Sequence, residues 1–332
     1  MERRTYLVRR LAWALFTIVF VMALNFFLFR VLPGDPAKAG IRDPRLTQAA
    51  QQALLARFGL NKPLLLNFQG GNPFESQFFI YFGNLLRGDL GTSYNFNRPV
   101  ADLLRERFVN TVVLLMVGQT LAILLGLALG VVASWRRGTS LDTGALIFGL
   151  FTWALPTFWL GIILLVVGSS YFGLPVGGMR TAGGNFSSWE SARDIGRHLI
   201  MPTITITVVL LGEFMLIMRS ALLEVLGEDY ILTAKAKGLT DSEILRKHAL
   251  KNAMLPVITI IALTLGFTVG GFIQVETVFS WPGLGSAIFE AVNRRDYPML
   301  QGAFLLIAVS VVLANLIADL LYAYLDPRVK TA

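Results

Sequence analysis

Three acidic side chains, Glu213, Glu276 and Asp319, stand in long apolar runs of this chain, where an ionisable group is costly enough to need a reason. A carboxylate in such a run can hold a cation, accept a hydrogen bond from a neighbouring helix or pass on a proton. The residues that would turn these acids into catalysts or metal ligands are missing. With no cysteine and only two histidines, His198 and His248, the chain can build neither a thiolate site nor a His-Glu-x-x-His zinc helix. No Gly-Lys dipeptide occurs, which removes the phosphate-cradling loop of nucleotide hydrolases. A Ser-His-Asp constellation with a soluble domain to house it is absent as well. The chain is therefore expected to bind no metal or cofactor and to be no enzyme by itself. Asp319 shares a helical face with Asn315, four residues away, and reads as an interhelical hydrogen-bonding group.

The elements that must position these acids are membrane spans. Of 332 residues 55% are hydrophobic and only 15% charged, and the mean hydropathy is +0.62. A soluble globular chain does not have this balance. The fold class expected is all-α and polytopic, with six transmembrane helices. Their approximate bounds are 11–31, 109–134, 143–171, 199–218, 253–277 and 300–325, each meeting the ~20 residues needed to cross ~30 Å of hydrocarbon. The run after Arg3, Arg4, Arg9 and Arg10 is long and lacks a small-residue cleavage site, so it is expected to be a retained span.

The net charge of +8 could suggest nucleic acid, but on a membrane protein its distribution matters more. Arg136, Arg137, Lys235, Lys237, Arg246, Lys247, Lys251, Arg328 and Lys330 all fall on the side of the N-terminus, which puts both termini in the cytoplasm. The expected organisation is a cytoplasmic start and first span (1–31), an extracytoplasmic cap of loop and amphipathic helix (32–108), a five-helix core (109–325) and a cytoplasmic tail (326–332).

The most sharply punctuated stretch is the charged island from Leu222 to Pro256. Gly227 interrupts the incoming helix, Asp229 offers an N-cap oxygen, and Gly238 closes a short helix as its C′ residue. Lys235 and Lys237 lie in the last turn, where cations suit the dipole. Thr240-Asp241-Ser242-Glu243 is a capping box for a second helix that continues toward Pro256. The pattern predicts helix, sharp elbow, helix. A helix about 10 Å long is unstable alone, so it needs a surface to pack on.

This stretch resembles the cytoplasmic EAA-type coupling loop of ATP-binding-cassette importer permeases, most closely the first permease subunit of dipeptide and oligopeptide importers. The likeness rests on Gly227-Glu228-Asp229-Tyr230, on Thr233-Ala234-Lys235-Ala236-Lys237-Gly238-Leu239 and on His248 through Pro256. Further family landmarks follow in order: Pro33-Gly34-Asp35-Pro36, Gly88-Asp89-Leu90-Gly91, Phe279-Ser280-Trp281-Pro282-Gly283-Leu284-Gly285, Arg294-Arg295-Asp296-Tyr297-Pro298 and Asp326-Pro327-Arg328. The resemblance thus covers essentially the whole chain.

It implies a type I importer permease in the inner membrane that forms half of a pathway for di- or oligopeptides. The partners implied are a second permease subunit, two ATP-binding subunits carrying ATP and Mg, an extracytoplasmic peptide-binding protein and the lipid bilayer, with no nucleic acid. Nickel chelates or glutathione are the alternative cargo. The coupling residues implied are Glu228, Asp229, Tyr230, Thr233, Ala234, Lys235, Ala236, Lys237 and Gly238. A secondary transporter would show internal repeats, and none is found; a scaffold would not need so tightly capped an elbow.

For the pathway, Glu213 is open to two readings, a seat for a substrate ammonium or a pairing with another helix or subunit. Met215, Gln274 and Glu276 are further candidates, although a methionine in a span is more often packing or lipid-facing. Phe279 and Trp281 suit the headgroup interface, as part of an outer gate or as a plain turn. Gly266, Gly270 and Gly271 permit close approach of the fifth span to another helix, within the subunit or in the second permease.

Overall fold

The computed structural model describes residues 3–31, 47–57, 61–68, 72–184, 187–268 and 272–325. Pro33 to Pro36, Phe58, Gly270, Gly271 and the tail from Asp326 lie outside the described residues. Within them the regular structure is helical. In chain order the helices are α1 (Arg3–Val31), α2 (Gln48–Arg57), α3 (Gln77–Leu86), α4 (Val100–Trp135), α5 (Ser140–Ala154), α6 (Thr157–Phe172) and α7 (Ser188–Leu226). There follow α8 (Asp229–Ala236), α9 (Asp241–Ile244), a π turn (Leu245–Ala249), α10 (Leu250–Thr268), α11 (Ile273–Val278), α12 (Leu284–Asn293) and α13 (Tyr297–Leu325).

Five of these helical stretches are long and apolar enough to cross a membrane, and the α5–α6 pair makes six if it is taken as one bent span. That pair departs from the sequence expectation of one continuous helix, since its halves meet at 95°. The break falls at Leu155-Pro156, where Leu155 is extended (φ −66°, ψ 127°) and closes α5. Proline removes an amide donor and drives the residue before it out of helical geometry. The second span is longer than expected. The basic and acidic turns from Val100 continue without interruption into the apolar run, giving a 36-residue helix roughly 54 Å long. The fifth does not run on to Thr277 as expected: Glu276 lies on the separate short helix α11, which starts after Phe272. Pro256, expected near a helix end, stands inside α10.

Helices α4 and α7 run side by side in the same direction and share the most extensive interface of the fold. Glycines set their separation: a Cβ at Gly126 would sit 2.8 Å from Phe214 Cβ, and one at Gly130 would sit 2.6 Å from the Met215 carbonyl oxygen. On its other flank α7 meets α5, where Gly212 lies against the Gly149 carbonyl and the Thr152 hydroxyl. Thr207 Oγ1 donates to the Gly118 carbonyl at 3.0 Å, tying α7 to α4. Helices α1 and α13 are antiparallel, joined by Arg10 and Asp319 at 2.8 Å and by Asn25 Nδ2 donating to the Gln301 carbonyl at 3.0 Å. The structural role expected of Asp319 is thereby filled, with Arg10 as its partner.

A Cβ at Gly212 would lie 2.3 Å from the Gly149 carbonyl oxygen, while one at Gly144 meets nothing within 4 Å. Gly212→Ala should therefore destabilise the protein by about 1–3 kcal/mol. The purified chain should melt lower in detergent than wild type, and Gly144→Ala should not.

Candidate functional site

The charged island folds as the expected elbow. Helix α7 ends on Gly227, and Glu228 takes the N-cap position of α8 with extended backbone but no side-chain cap bond. Asp229, expected as the N-cap, is instead the first helical residue, where its charge still suits the dipole. At the other end the amide of Gly238 (φ +78°) donates to the Lys235 carbonyl and that of Leu239 to the Ala234 carbonyl. These two bonds make a Schellman cap, whose left-handed residue glycine adopts without strain. The capping box is present: Thr240 Oγ1 accepts from the Glu243 amide at 3.4 Å and Glu243 Oε2 accepts from the Thr240 amide at 3.1 Å. The second helix then widens into the π turn that carries Arg246, Lys247 and His248 before α10 begins.

Why so short a helix as α8 holds its shape is visible in what it covers. Ile231 and Ala234 are buried in one cluster with Met218 and Leu222 of α7, Ile244, and Ala249, Ala253 and Val257 around the start of α10. The chain supplies its own groove on that side. Tyr230 accepts a hydrogen bond from Asn252 Nδ2 at 2.7 Å, which bolts the start of α8 to α10. The opposite face is open: Thr233, Lys235, Ala236 and Lys237 are exposed, and Leu232 is 62% exposed.

Next to the elbow stands a pair that sequence reasoning missed. Arg219, in the last turns of α7, donates from Nε to Asp142 Oδ1 at 2.7 Å and from Nη2 to Asp142 Oδ2 at 3.0 Å. Asp142 is buried in the first turn of α5 and also accepts from the Gly138 amide at 3.0 Å. Ser134 Oγ of α4 donates to the Gly130 carbonyl at 2.6 Å and lies 3.4 Å from the Arg219 carbonyl. Three helix ends therefore meet at Arg219, three residues before the island begins. The two partners are 77 residues apart in sequence, and each sits where a span meets a basic loop, so neither looked unusual by itself.

At the far end of the bundle the residues expected to form a gate are buried together. Glu276 is fully buried and accepts from Thr111 Oγ1 at 2.6 Å and from the Ser286 amide at 2.9 Å. Thr111 Oγ1 in turn accepts from the Leu284 amide at 2.7 Å. Trp281 and Phe279 are packed inside the protein and not turned outward; they are 0% and 2% exposed. The reason is a hydrogen-bond frame around the turn. Trp281 Nε1 donates to the Asn110 carbonyl at 2.9 Å, and Asn110 Nδ2 donates to the Pro282 carbonyl at 2.8 Å. Beside this frame Asp296 accepts from the amides of Tyr94 and Asn95 and from the Ser93 hydroxyl. Burial, and then the Asp296 charge, pushes the Tyr94 phenol up to about 12.

The remaining candidates separate. Met215 is fully buried, packed toward Gly149 at the α5 interface, and Gln274 is exposed. Glu213 is half-buried in the middle of α7, and no hydrogen bond or ion pair from the described residues reaches its carboxylate.

A bundle of apolar helices with one bent span and an elbow braced at its end has the fold of an ABC importer permease. It superposes on a chain of the MetNI methionine ABC transporter in inward facing conformations with a TM-score of 0.51 and 19% identity, over 68% of this chain and 96% of that one. The sequence narrows the class. Residues 122–331 match the family described as the binding-protein-dependent transport system inner membrane component, and residues 3–115 match its N-terminal membrane component. The chain belongs to this family, in its peptide permease branch. It is 35% identical to the oligopeptide transport system permease protein AppB of Bacillus subtilis over 98% of this chain and 99% of that one. It is 35% identical to the dipeptide transport system permease protein DppB of Escherichia coli, over 98% of each. The di/tripeptide transport system permease protein DppB of Pseudomonas aeruginosa is also 35% identical, again over 98% of each.

Two outcomes follow. Thr111→Val removes the hydroxyl donor to Glu276 and the acceptor for the Leu284 amide, and should cost about 1–3 kcal/mol in detergent unfolding. Asp142→Asn and Arg219→Gln should each lower the melting temperature, and the double variant should lose less than the sum of the two; strict additivity would show that the pair does not interact.

Proposed function

We propose that the chain is the first permease subunit of an ATP-driven importer, forming half of the path by which di- or oligopeptides cross the inner membrane. Peptides would reach the far end from an extracytoplasmic binding protein. A second permease would complete the path, and two partner subunits would bind ATP and Mg. On this reading the elbow end and both termini face the cytoplasm, in keeping with the basic residues gathered there. The observation that carries the coupling role is the two-sided character of α8. One side is fixed to α7 and α10 through Ile231 and Ala234, and the other presents Leu232, Lys235 and Lys237 with no cover.

A helix held in this way is a rigid lever. When two ATPase subunits close on ATP, the grooves holding the two permeases' levers approach each other, and each lever displaces the ends of the helices it is bolted to. Glu228, Asp229, Tyr230, Thr233, Ala234, Lys235, Ala236, Lys237 and Gly238 are the residues we assign to this coupling, with Tyr230, Ala234 and Gly238 setting the lever's shape and the exposed ones its contact.

Leu232 tests the assignment without disturbing the fold, because it is 62% exposed. Leu232→Glu in the complex with its partner subunits should leave the detergent melting temperature unchanged. ATP-driven peptide uptake into proteoliposomes should fall roughly tenfold or more, as when a contact hot spot is lost. Undiminished uptake would show that this face does not receive the ATPase.

A further inference from the structure

Three other acids, at the helix crossings and in the gate, have partners. Asp142 is held by Arg219, Asp319 by Arg10, and Glu276 by Thr111 and Ser286. Glu213 has none among the described residues, although it lies within an apolar run of a 39-residue helix. Its position on α7 says which way it faces. Counted at about 100° per residue, Thr207, Phe214 and Met218, which meet α4, lie about 100–140° to one side of it. Gly212 and Arg219, which meet α5, lie about 100–120° to the other side. Glu213 therefore points along the face between those that α4 and α5 cover, with the α10 contact of Ile217 and Ala221 about 40–80° to one side.

That face continues as a polar line. Ser220 and Glu224, both exposed, lie within about 20° of Glu213 and lead from mid-helix toward the elbow end. Lipid would not tolerate a lone carboxylate in the middle of such a stripe, whereas a watered path would. The geometry points to this stripe as one wall of the cargo path, with Glu213 receiving the cationic group of a passing peptide, its α-ammonium or a basic side chain. This rests on the proposed function. Charge complementarity selects the cargo: an anion with no partner among the described residues would stand in a wall past which peptides carrying an ammonium group travel, and no cation among those residues competes for it.

The absence of cysteine makes the full chain a ready background for thiol labelling. Glu213→Cys and Ser220→Cys, each in the complex with its partner subunits, should react with a trimethylammonium methanethiosulfonate, and added dipeptide should slow the reaction. Ile204→Cys, on the opposite and 41% exposed face, should stay unreactive. If Glu213→Cys reacts in the chain purified alone but not in the complex, the face is a contact with the second permease and the proposal is wrong. Lack of reaction in both preparations would place it against lipid and equally overturn it. In transport, Glu213→Gln should slow uptake of a saturating free-amine dipeptide about tenfold relative to its N-formylated form, the loss of one charge-assisted hydrogen bond. Equal slowing of both forms would remove the ammonium from the inference. Wild-type vesicles separate the two levels: failure to import any peptide with ATP would sink the proposed function itself, whatever the labelling shows.

Discussion

Inside a bilayer there is no water to satisfy a polar group, so each one must be answered by the protein or by a path that brings water in. Much of this structure is arranged by that constraint. The Arg219–Asp142 pair, the Arg10–Asp319 pair and the Glu276 frame each sit where two or more helices meet, and each joins elements far apart in sequence. Packing alone would let apolar helices slide, because lipid is as apolar as leucine and offers no preference between one contact and another. The hydrogen-bonded acids fix where along their length the helices cross, and the glycines of α4 and α7 fix how closely.

Helix α4 is the member common to both ends. Asn110 and Thr111 on its first half hold the Trp281 turn, and Ser134 on its last turn reaches the Arg219 backbone. About 35 Å of helix separates Thr111 from Ser134. Over that distance α4 is pressed against α7 through glycine contacts that leave no room for a methyl group. Two helices in such contact move as one body, because packed interiors yield little. Under the proposed function, a displacement of α8 is delivered to α7 by Leu222 and Ile231, and the same body carries the far-end frame. The bent pair α5–α6 hangs on that body by Asp142, with its corner at Pro156.

Much of the fold was legible because the strongest signals are local. Runs of some 20 apolar residues announce spans, and the Gly227, Gly238 and Thr240 punctuation announced the elbow correctly to within a residue. What was not legible depends on contacts between distant segments. Trp281 and Phe279 looked like interfacial aromatics because a turn with Pro282 and glycines is usually exposed; only Asn110 and Thr111, about 170 residues earlier, explain why they are buried. Met215 was a pathway candidate by type, yet Gly149 opposite leaves a space that its side chain fills. Pro156 was the one local signal passed over, since proline occurs inside α7 and α10 as well, at Pro202 and Pro256, without breaking either helix.

The three prolines show why a breaker is read only in context. Pro202 is buried and Pro256 follows the first turns of α10, and in both places the helix runs on. At Pro156 the residue ahead is extended, and Thr157 starts a new helix that turns away by 95°. On α7 the turns around Pro202 lie between α4 and α6, with Ile206 against Gly118 and Met201 against Gly168, so straightness is enforced from outside against the local preference of Pro202. At the α5–α6 corner the two halves pack on different partners: α6 on the first half of α7 and on α11, α5 on the second half of α7 and on α4. The two halves are thus held in different directions, and the bend is placed by tertiary contact as much as by the ring itself.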